Sequence, residues 1–338
     1  MISNVGESLK EARIYRNDKQ RAYKEGFKEL ESTALPITLS GVPFRYHPNI
    51  NFYVDMMAAC NCSCWFCIAN VEFNRQLNPR ADLVDLLDDS LHTLSPLSPS
   101  IQITGGEPTL FNKKLIDMLK VVHAHKIHKS VLNTNGFDLN SGVARAIRRY
   151  GIDHVDISRH HYNDKVNDRI MGGGIGSEQL RKSIDLIADK ARIQCNLMSA
   201  SIDTYGEVMQ FIAYAYHKLG ATNVMFSSLT TLPKDSYYDE SVIKGTNNGP
   251  VNTAFIMDNI ERDDRFHFEK YRGGVAYYYE IWKFTGYDIP MTIVFKHSDN
   301  HWLEAVDNDP ELMLDVVLHT DGTLAGSRCK DVKIIRKY

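Results

Sequence analysis

The stretch Ile50-Asn-Phe-Tyr-Val-Asp-Met56, followed after three residues by Cys60-Asn-Cys-Ser-Cys64-Trp-Phe-Cys67, decides how this chain is read. Its first part is a candidate strand. Its second part places three cysteines in CxxxCxxC spacing, with an aromatic residue before the last. Three thiolates from one short loop do not complete a four-coordinate structural zinc site, but they can hold three irons of a 4Fe-4S cluster and leave the fourth open for chemistry. The competing reading is a zinc knot, since Cys62 brings the loop to four cysteines. Zinc sites usually draw on two pairs from separate turns, and no second CxxC or CxxH pair occurs in the chain. Cys62, inside the first gap, is expected to be a bystander thiol.

Working outward from this stretch, residues 1–48 read as a charged, mostly helical extension, with Glu7 to Glu31 mixing both signs around Tyr15, Tyr23 and Phe27. Pro36, Gly41, Pro43 and Pro48 break it off before the first strand. From residue 50 strands and helices alternate. The expected strands are Ile50–Met56, Ser100–Thr104, Ser130–Asn133, His154–Ser158, Arg192–Met198 and Asn223–Ser228. Between them Leu83, Leu87, Leu91 and Leu94, then Leu115, Leu119 and Val122, then Val208, Phe211, Ile212, Ala215 and Leu219 recur at helical steps. Six strand–helix units imply a parallel sheet with right-handed crossovers, too short to close an eight-stranded barrel. The expectation is an α/β fold: a partial (β/α)6 TIM-like barrel over 49–264, with the N-terminal helical extension and a C-terminal α/β cap. That cap, residues 265–338, is expected to carry antiparallel strands, with runs at Met291–Phe295 and Met313–His319 and a hairpin turn at Thr320-Asp-Gly-Thr323. Gly172-Gly-Gly-Ile-Gly176 reads as a flexible loop.

The composition excludes several classes. Of 338 residues 43% are hydrophobic and 24% charged, as in ordinary soluble globular proteins. A formal net charge of −3 offers no general attraction to nucleic acid or to an anionic membrane. No signal-peptide pattern and no apolar run of membrane-spanning length occurs. Six cysteines, four of them clustered, are not a secreted disulfide framework. The expected setting is the reducing cytoplasm, which an oxygen-sensitive cluster also requires.

In barrels of this kind chemistry collects at the C-terminal strand ends, and the cysteine loop follows the first strand there. Other motifs stand at later strand ends: Gly105-Gly-Glu-Pro108 after the second, Asn133-Thr-Asn-Gly136 at the third, Ser158 at the fourth, Asn196 at the fifth. Paired glycines let backbone come close to a ligand, and a carboxylate beside them can bind a cation; each motif alone could also be a plain turn. Together with the cysteines they resemble the radical S-adenosylmethionine (radical SAM) family over roughly residues 50–230, nearest to its MoaA-like and peptide-modifying, SPASM-related branches. The resemblance implies Cys60, Cys64 and Cys67 as ligands of one 4Fe-4S cluster. It implies that S-adenosylmethionine binds beside Gly105, Gly106, Glu107, Pro108, Asn133, Asn135, Ser158 and Asn196, with the Gly-Gly-Glu-Pro segment on its amino group. It also implies a flavodoxin- or ferredoxin-type electron donor and a 5′-deoxyadenosyl radical as the reactive species. Leu318 to Cys329 is similar to the segment that opens an auxiliary-cluster domain in the second branch. Beyond Cys329 no cysteine follows, so a second cluster is not expected, and Cys195 is expected in the core.

The substrate is the open question. Arg159-His-His161 follows the fourth strand, where an arginine and two histidines could bind an anion or a sugar or move a proton; they could equally anchor a loop. Arg159, His160 and His161 are taken as the candidate catalytic residues. A small polar substrate such as a sugar, nucleoside or amino-acid derivative is favoured over a peptide or protein, and over a non-enzymatic iron–sulfur or zinc module.

Overall fold

A computed structural model describes residues 34–56, 59–67, 80–127, 129–199, 201–229, 253–273, 277–298 and 309–338, with isolated positions between 240 and 251. The charged lead-in expected to be helical lies outside the described residues. Residues 35–55, partly assigned to that extension, form a hairpin instead. Strand β1 (Leu35–Leu39) pairs antiparallel with the start of β2 (Val42–Asp55). Ser40 and Gly41 both adopt positive φ at its two-residue turn, the twist that such a turn needs. Pro36 and Pro43, read as helix breakers, sit within these paired strands.

The strand–helix alternation follows. After β2 come β3 (Ser100–Thr104), β4 (Ser130–Thr134), β5 (His154–Ser158), β6 (Ala191–Leu197) and β7 (Asn223–Ser228), each pairing in parallel with the one before. Helices α1 (Leu83–Leu94), α2 (Asn112–Ala124), α3 (Ser141–Tyr150), α4 (Asp164–Met171), α5 (Ser177–Asp185) and α6 (Tyr205–His217) lie between them, and α7 (Thr253–Arg262) packs on α6. Their apolar stripes are the ones that the sequence periodicity marks: Leu83, Leu87, Leu91 and Leu94 on α1, and Val208, Phe211, Ile212 and Ala215 on α6, are all buried. Each of these Leu, Val, Ile and Phe side chains contributes about 1.5–3 kcal/mol by leaving water.

The C-terminal third departs from the expected antiparallel cap. Strands β8 (Phe266–Gly273) and β9 (Tyr277–Phe284) are antiparallel, as are β12 (Thr323–Ala325) and β13 (Ile334–Lys337). However, β10 (Met291–Ser298) pairs in parallel with β7, and β11 (Leu312–Leu318) pairs in parallel with β2. The parallel run is therefore eight strands wide, β11-β2-β3-β4-β5-β6-β7-β10, and the C-terminal residues supply both of its ends. The sheet still does not close. The outer edges of β10 and β11 are taken by β9 and by β12, so they have no free edge for each other. The expected turn at Thr320–Thr323 does join β11 to β12, with Gly322 at positive φ.

Alternation along the strands separates two faces. Ile101, Ile103, Leu132, Val155, Ile157, Ile193, Cys195 and Leu197 point into the core beneath the helices. Gln102, Asn133, Asp156, Arg192, Gln194, Met225, Val294 and Lys296 line the concave side.

Candidate active site

The cysteine loop rises from the C-terminal end of β2, and three neighbours hold it. Met56 N–H donates to the Thr104 carbonyl at 2.9 Å, and Glu107 N–H donates to the Ala59 carbonyl at 2.9 Å, stitching the base of the loop to the end of β3. On one flank Asn135 Nδ2 donates to Asn61 Oδ1 at 2.8 Å and lies 3.3 Å from Cys62 Sγ. On the other, Ser63 N–H donates to the Met171 carbonyl at 2.8 Å, at the end of α4. Beneath the loop Phe66 packs with Ile170 and Met198 and meets the His160 ring edge-on at 4.9 Å.

Cys62 is buried, against Asn135, whereas Cys60, Cys64 and Cys67 are half-exposed. Among the described residues the three sulfurs do not all lie within 4.8 Å of one another. Burial first, and then the neighbouring Cys67 and Cys60, push the Cys64 thiol up. Crowded thiolates are relieved by a metal centre, which takes them deprotonated. The donor set fits a 4Fe-4S cluster.

Gly105 and Gly106 both take positive φ, +79° and +59°. A Cβ on Gly105 would stand 2.6 Å from the Cα of Asp55, so only glycine lets β3 turn against the end of β2. Glu107 does something other than what was expected of it. Its carboxylate is 1% exposed and accepts from Thr109 N–H at 2.9 Å, Thr109 Oγ1 at 2.6 Å, Thr134 Oγ1 and Asn135 N–H at 2.6 Å. Burial pushes its pKa up against those four donors, with the net direction upward. The side chain clamps the Gly-Gly-Glu-Pro segment to Asn133–Gly136 instead of offering a charge to a ligand. Asn135 is likewise occupied, its Oδ1 accepting from Phe137 N–H.

The three expected catalytic residues need the largest correction. Arg159 is 1% exposed, and its guanidinium donates to the carbonyls of His161 (2.9 Å) and Ile175 (3.2 Å), to Ser177 Oγ (3.3 Å) and to the Asp164 carboxylate, over the Tyr214 ring. A cation this fully engaged cannot also hold a substrate. Asn167 Oδ1 accepts from both His160 and His161 N–H. His160 Nδ1 accepts from Asn196 N–H at 3.1 Å, and His161 Nδ1 accepts from Asn163 N–H at 2.9 Å. Burial lowers both rings' pKa values, that of His160 to about 3. These residues anchor the loop between β5 and α4. Sequence inspection missed this because burial of a strand-end segment depends on which helix folds back over it.

The residues with polar groups toward the concave side are others. Asn133 and Gln194 line it, and Ser158 and Asn196 share its strand face one step nearer the cysteine loop. Asp156 accepts two bonds from Arg192, at 2.8 and 2.7 Å. Lys296, opposite them on β10, has its pKa lowered to about 8, by burial first and by Arg328 next. Asp55 and His319 meet at 3.7 Å near the cysteine loop, with Asp55 Oδ1 buried and unpartnered. Burial drives both toward neutrality, raising the carboxyl and lowering the imidazole. None of these charged side chains stands in a motif; only their shared inward register would have marked them.

Comparison with known proteins agrees with this geometry. Residues 54–215 match the radical SAM superfamily. A probable GTP 3',8-cyclase of Thermoplasma volcanium is 27% identical over 140 residues, 41% of this chain and 41% of that protein. The 7-carboxy-7-deazaguanine synthase of Methanothermobacter thermautotrophicus is 26% identical over 153 residues, 45% of this chain and 58% of its own. The chain thus spans about two-fifths to three-fifths of the length of these relatives, whose names favour the MoaA-like side of the resemblance. The crystal structure of Streptococcus suis SuiB bound to S-adenosylmethionine has a TM-score of 0.55 at 13% identity, covering 96% of this chain and 69% of that one, which is a likeness of fold. Residues 54–215 are thus similar to the radical SAM domain, and members of that superfamily use a 4Fe-4S cluster and S-adenosylmethionine.

Proposed function

We propose that this protein is a radical SAM enzyme that abstracts hydrogen from a small polar molecule held on the concave side of the sheet. The carrying observation is the lining of that side: amides from Gln102, Asn133 and Gln194, with the Asp156–Arg192 pair and Lys296. Such polar groups, set beside Val131, Met225 and Val294, suit a compact substrate that hydrogen-bonds on one side and packs on the other. The names of the curated relatives include several GTP 3',8-cyclases and a 7-carboxy-7-deazaguanine synthase, which supports a nucleotide-like or other heterocyclic substrate class.

When bound, the cluster and S-adenosylmethionine supply a 5′-deoxyadenosyl radical, with an electron from a flavodoxin- or ferredoxin-type donor. The residues of the chain do the rest. Cys60, Cys64 and Cys67 hold three irons. Gly105 and Gly106, bare of Cβ atoms, let the backbone beside Pro108 approach the cofactor closely. Asn133, Ser158 and Asn196 orient it by hydrogen bonds from the strand ends. Arg192, Asp156 and Lys296 would bind and orient the substrate on the concave side, where a small misplacement would cost rate heavily.

The test is anaerobic reconstitution followed by incubation with reductant, S-adenosylmethionine and a deuterated cell extract divided by ultrafiltration. Deuterium should enter 5′-deoxyadenosine with the small-molecule filtrate. Transfer only with the macromolecular fraction would replace this reading by modification of a peptide or protein.

A further inference from the structure

The run Gly172-Gly-Gly174, a plain loop by sequence, lies directly against the cysteine loop. A Cβ on Gly172 would stand 2.0 Å from Ser63 Oγ and 3.0 Å from the Ser63 carbonyl oxygen. One on Gly173 would stand 2.6 Å from the carbonyl oxygen of Asn61, and one on Gly174 would touch Cys62 Sγ at 3.8 Å. Separations under 3 Å are not available to real side chains, so the two surfaces fit as they stand only while Gly172 and Gly173 are glycine. Ser63 reinforces the fit, with its N–H on the Met171 carbonyl and its Oγ on the Gly172 carbonyl at 3.2 Å. Across the loop Asn135 holds Asn61 and Cys62.

This seat is itself buttressed. Gly172 ends α4 in the left-handed conformation, its N–H on the Asp168 carbonyl. Asn167 of α4 takes the His160 and His161 N–H groups, and Arg159 takes Asp164 at the start of α4. The His160 ring then returns to Phe66 in the cysteine loop. A closed circuit thus runs from β5 through α4 and the glycines to the loop and back.

We propose that Gly172, Gly173 and Asn135 are positioning residues for the iron–sulfur cluster, forming a seat that fixes Asn61–Ser63 and so sets where Cys60 and Cys64 present their thiols. The proposal rests on the cluster reading above. It deepens that reading by giving cluster retention to residues outside the cysteine motif.

A matched pair of glycines tests it. Gly172 and Gly151 both follow helices in the left-handed region, at φ +61° and +74°, but a Cβ on Gly151 meets nothing within 4 Å. Gly172→Ala and Gly151→Ala therefore carry the same backbone strain, and only the first presses on the cysteine loop. After anaerobic reconstitution of the full chain, iron content, iron loss to a chelator and the electron paramagnetic resonance signal of the reduced cluster are measured. Gly172→Ala should release iron about tenfold faster or more, the usual cost of losing a supporting contact at a metal site, with an altered resonance signal, while Gly151→Ala matches wild type. Ser63→Gly in the Gly172→Ala background removes the closest atom and should restore part of the retention. It should restore none to Gly173→Ala, whose obstacle is the Asn61 backbone. If the single variants fold poorly, rescue by Ser63→Gly still decides, since no recovery of iron in the double variant would overturn the seat. Wild-type protein taking up no iron would overturn the cluster reading and the seat with it. Wild type and Gly172→Ala loading and retaining iron identically would overturn the seat alone.

Discussion

At the scale of single residues, the distinction that matters is between side chains that face a ligand and side chains that hold the loops which do. Glu107 belongs to the second group. Glu107→Gln would turn an amide NH2 toward donors that now share a carboxylate, leaving at least one of them unpaired in a buried site. The expected cost is about 1–3 kcal/mol of folding stability, read from denaturant unfolding of the apo-protein. A loss of S-adenosylmethionine affinity with unchanged stability would show instead that the carboxylate serves the cofactor. The cysteines divide in the same way. Cys64→Ala should lose iron, whereas Cys62→Ala, which removes a thiol packed on Asn135, should keep about four irons per chain. Iron and sulfide analysis of the two variants distinguishes these outcomes.

At the scale of elements, the β5–α4 connection behaves as one buried unit, and its histidines give that unit a pH dependence. His160 stays neutral in the folded state to about pH 3, whereas in the unfolded chain it titrates near 6.5. Between those values the unfolded state binds the extra proton, so stability falls as pH falls from about 6.5 toward 3 and is intact above that window. From pH 6.5 to 5 this one group contributes up to about 2 kcal/mol. Neutral His160→Gln removes that contribution. Denaturant unfolding at pH 7 and pH 5 should therefore show a smaller loss in the variant than in wild type, and parallel losses would mean that the ring is not held neutral. The same unit explains Arg159. Arg159→Ala should destabilise the fold and weaken iron retention together, because Asp164, Ser177 and two carbonyls lose their donor. An effect confined to substrate turnover would return Arg159 to the catalytic role expected from its place in the sequence.

At the scale of the whole molecule, the C-terminal strands are part of the sheet that carries the cluster loop. Leu318 of β11 is buried beside Val54 of β2, six residues before Cys60. Leu318→Ala opens a cavity expected to cost about 2–5 kcal/mol. Because β11 and β2 are hydrogen-bonded in one sheet, the cluster absorbance and the far-ultraviolet circular dichroism should shift to lower denaturant together. Were residues 265–338 a separate cap, the cluster signal of Leu318→Ala would unfold where wild type does. That coupling also accounts for the open shape, since β9 and β12 occupy the edges through which β10 and β11 could have closed a barrel.

The local signals in the amino-acid sequence determined the parallel strand order from β2 to β7, the apolar helix faces and the cysteine spacing. Each depends on residues close together in the chain: a period of two or of about 3.6, a Gly stop, three thiols within eight positions. The extension by β10 and β11 was not legible, because the runs at Met291 and Met313 have the same local character whether they pair in parallel or antiparallel. Only the competition for sheet edges decided it. The roles of Glu107, Arg159, His160 and the glycines after Met171 were decided the same way. A carboxylate, a guanidinium, an imidazole or a run of glycines can face a ligand or brace a loop with equal local chemistry. Which one it does depends on the segments packed against it, here Thr109 with Thr134, α4, Phe66 and the cysteine loop itself, which lie far from one another along the chain.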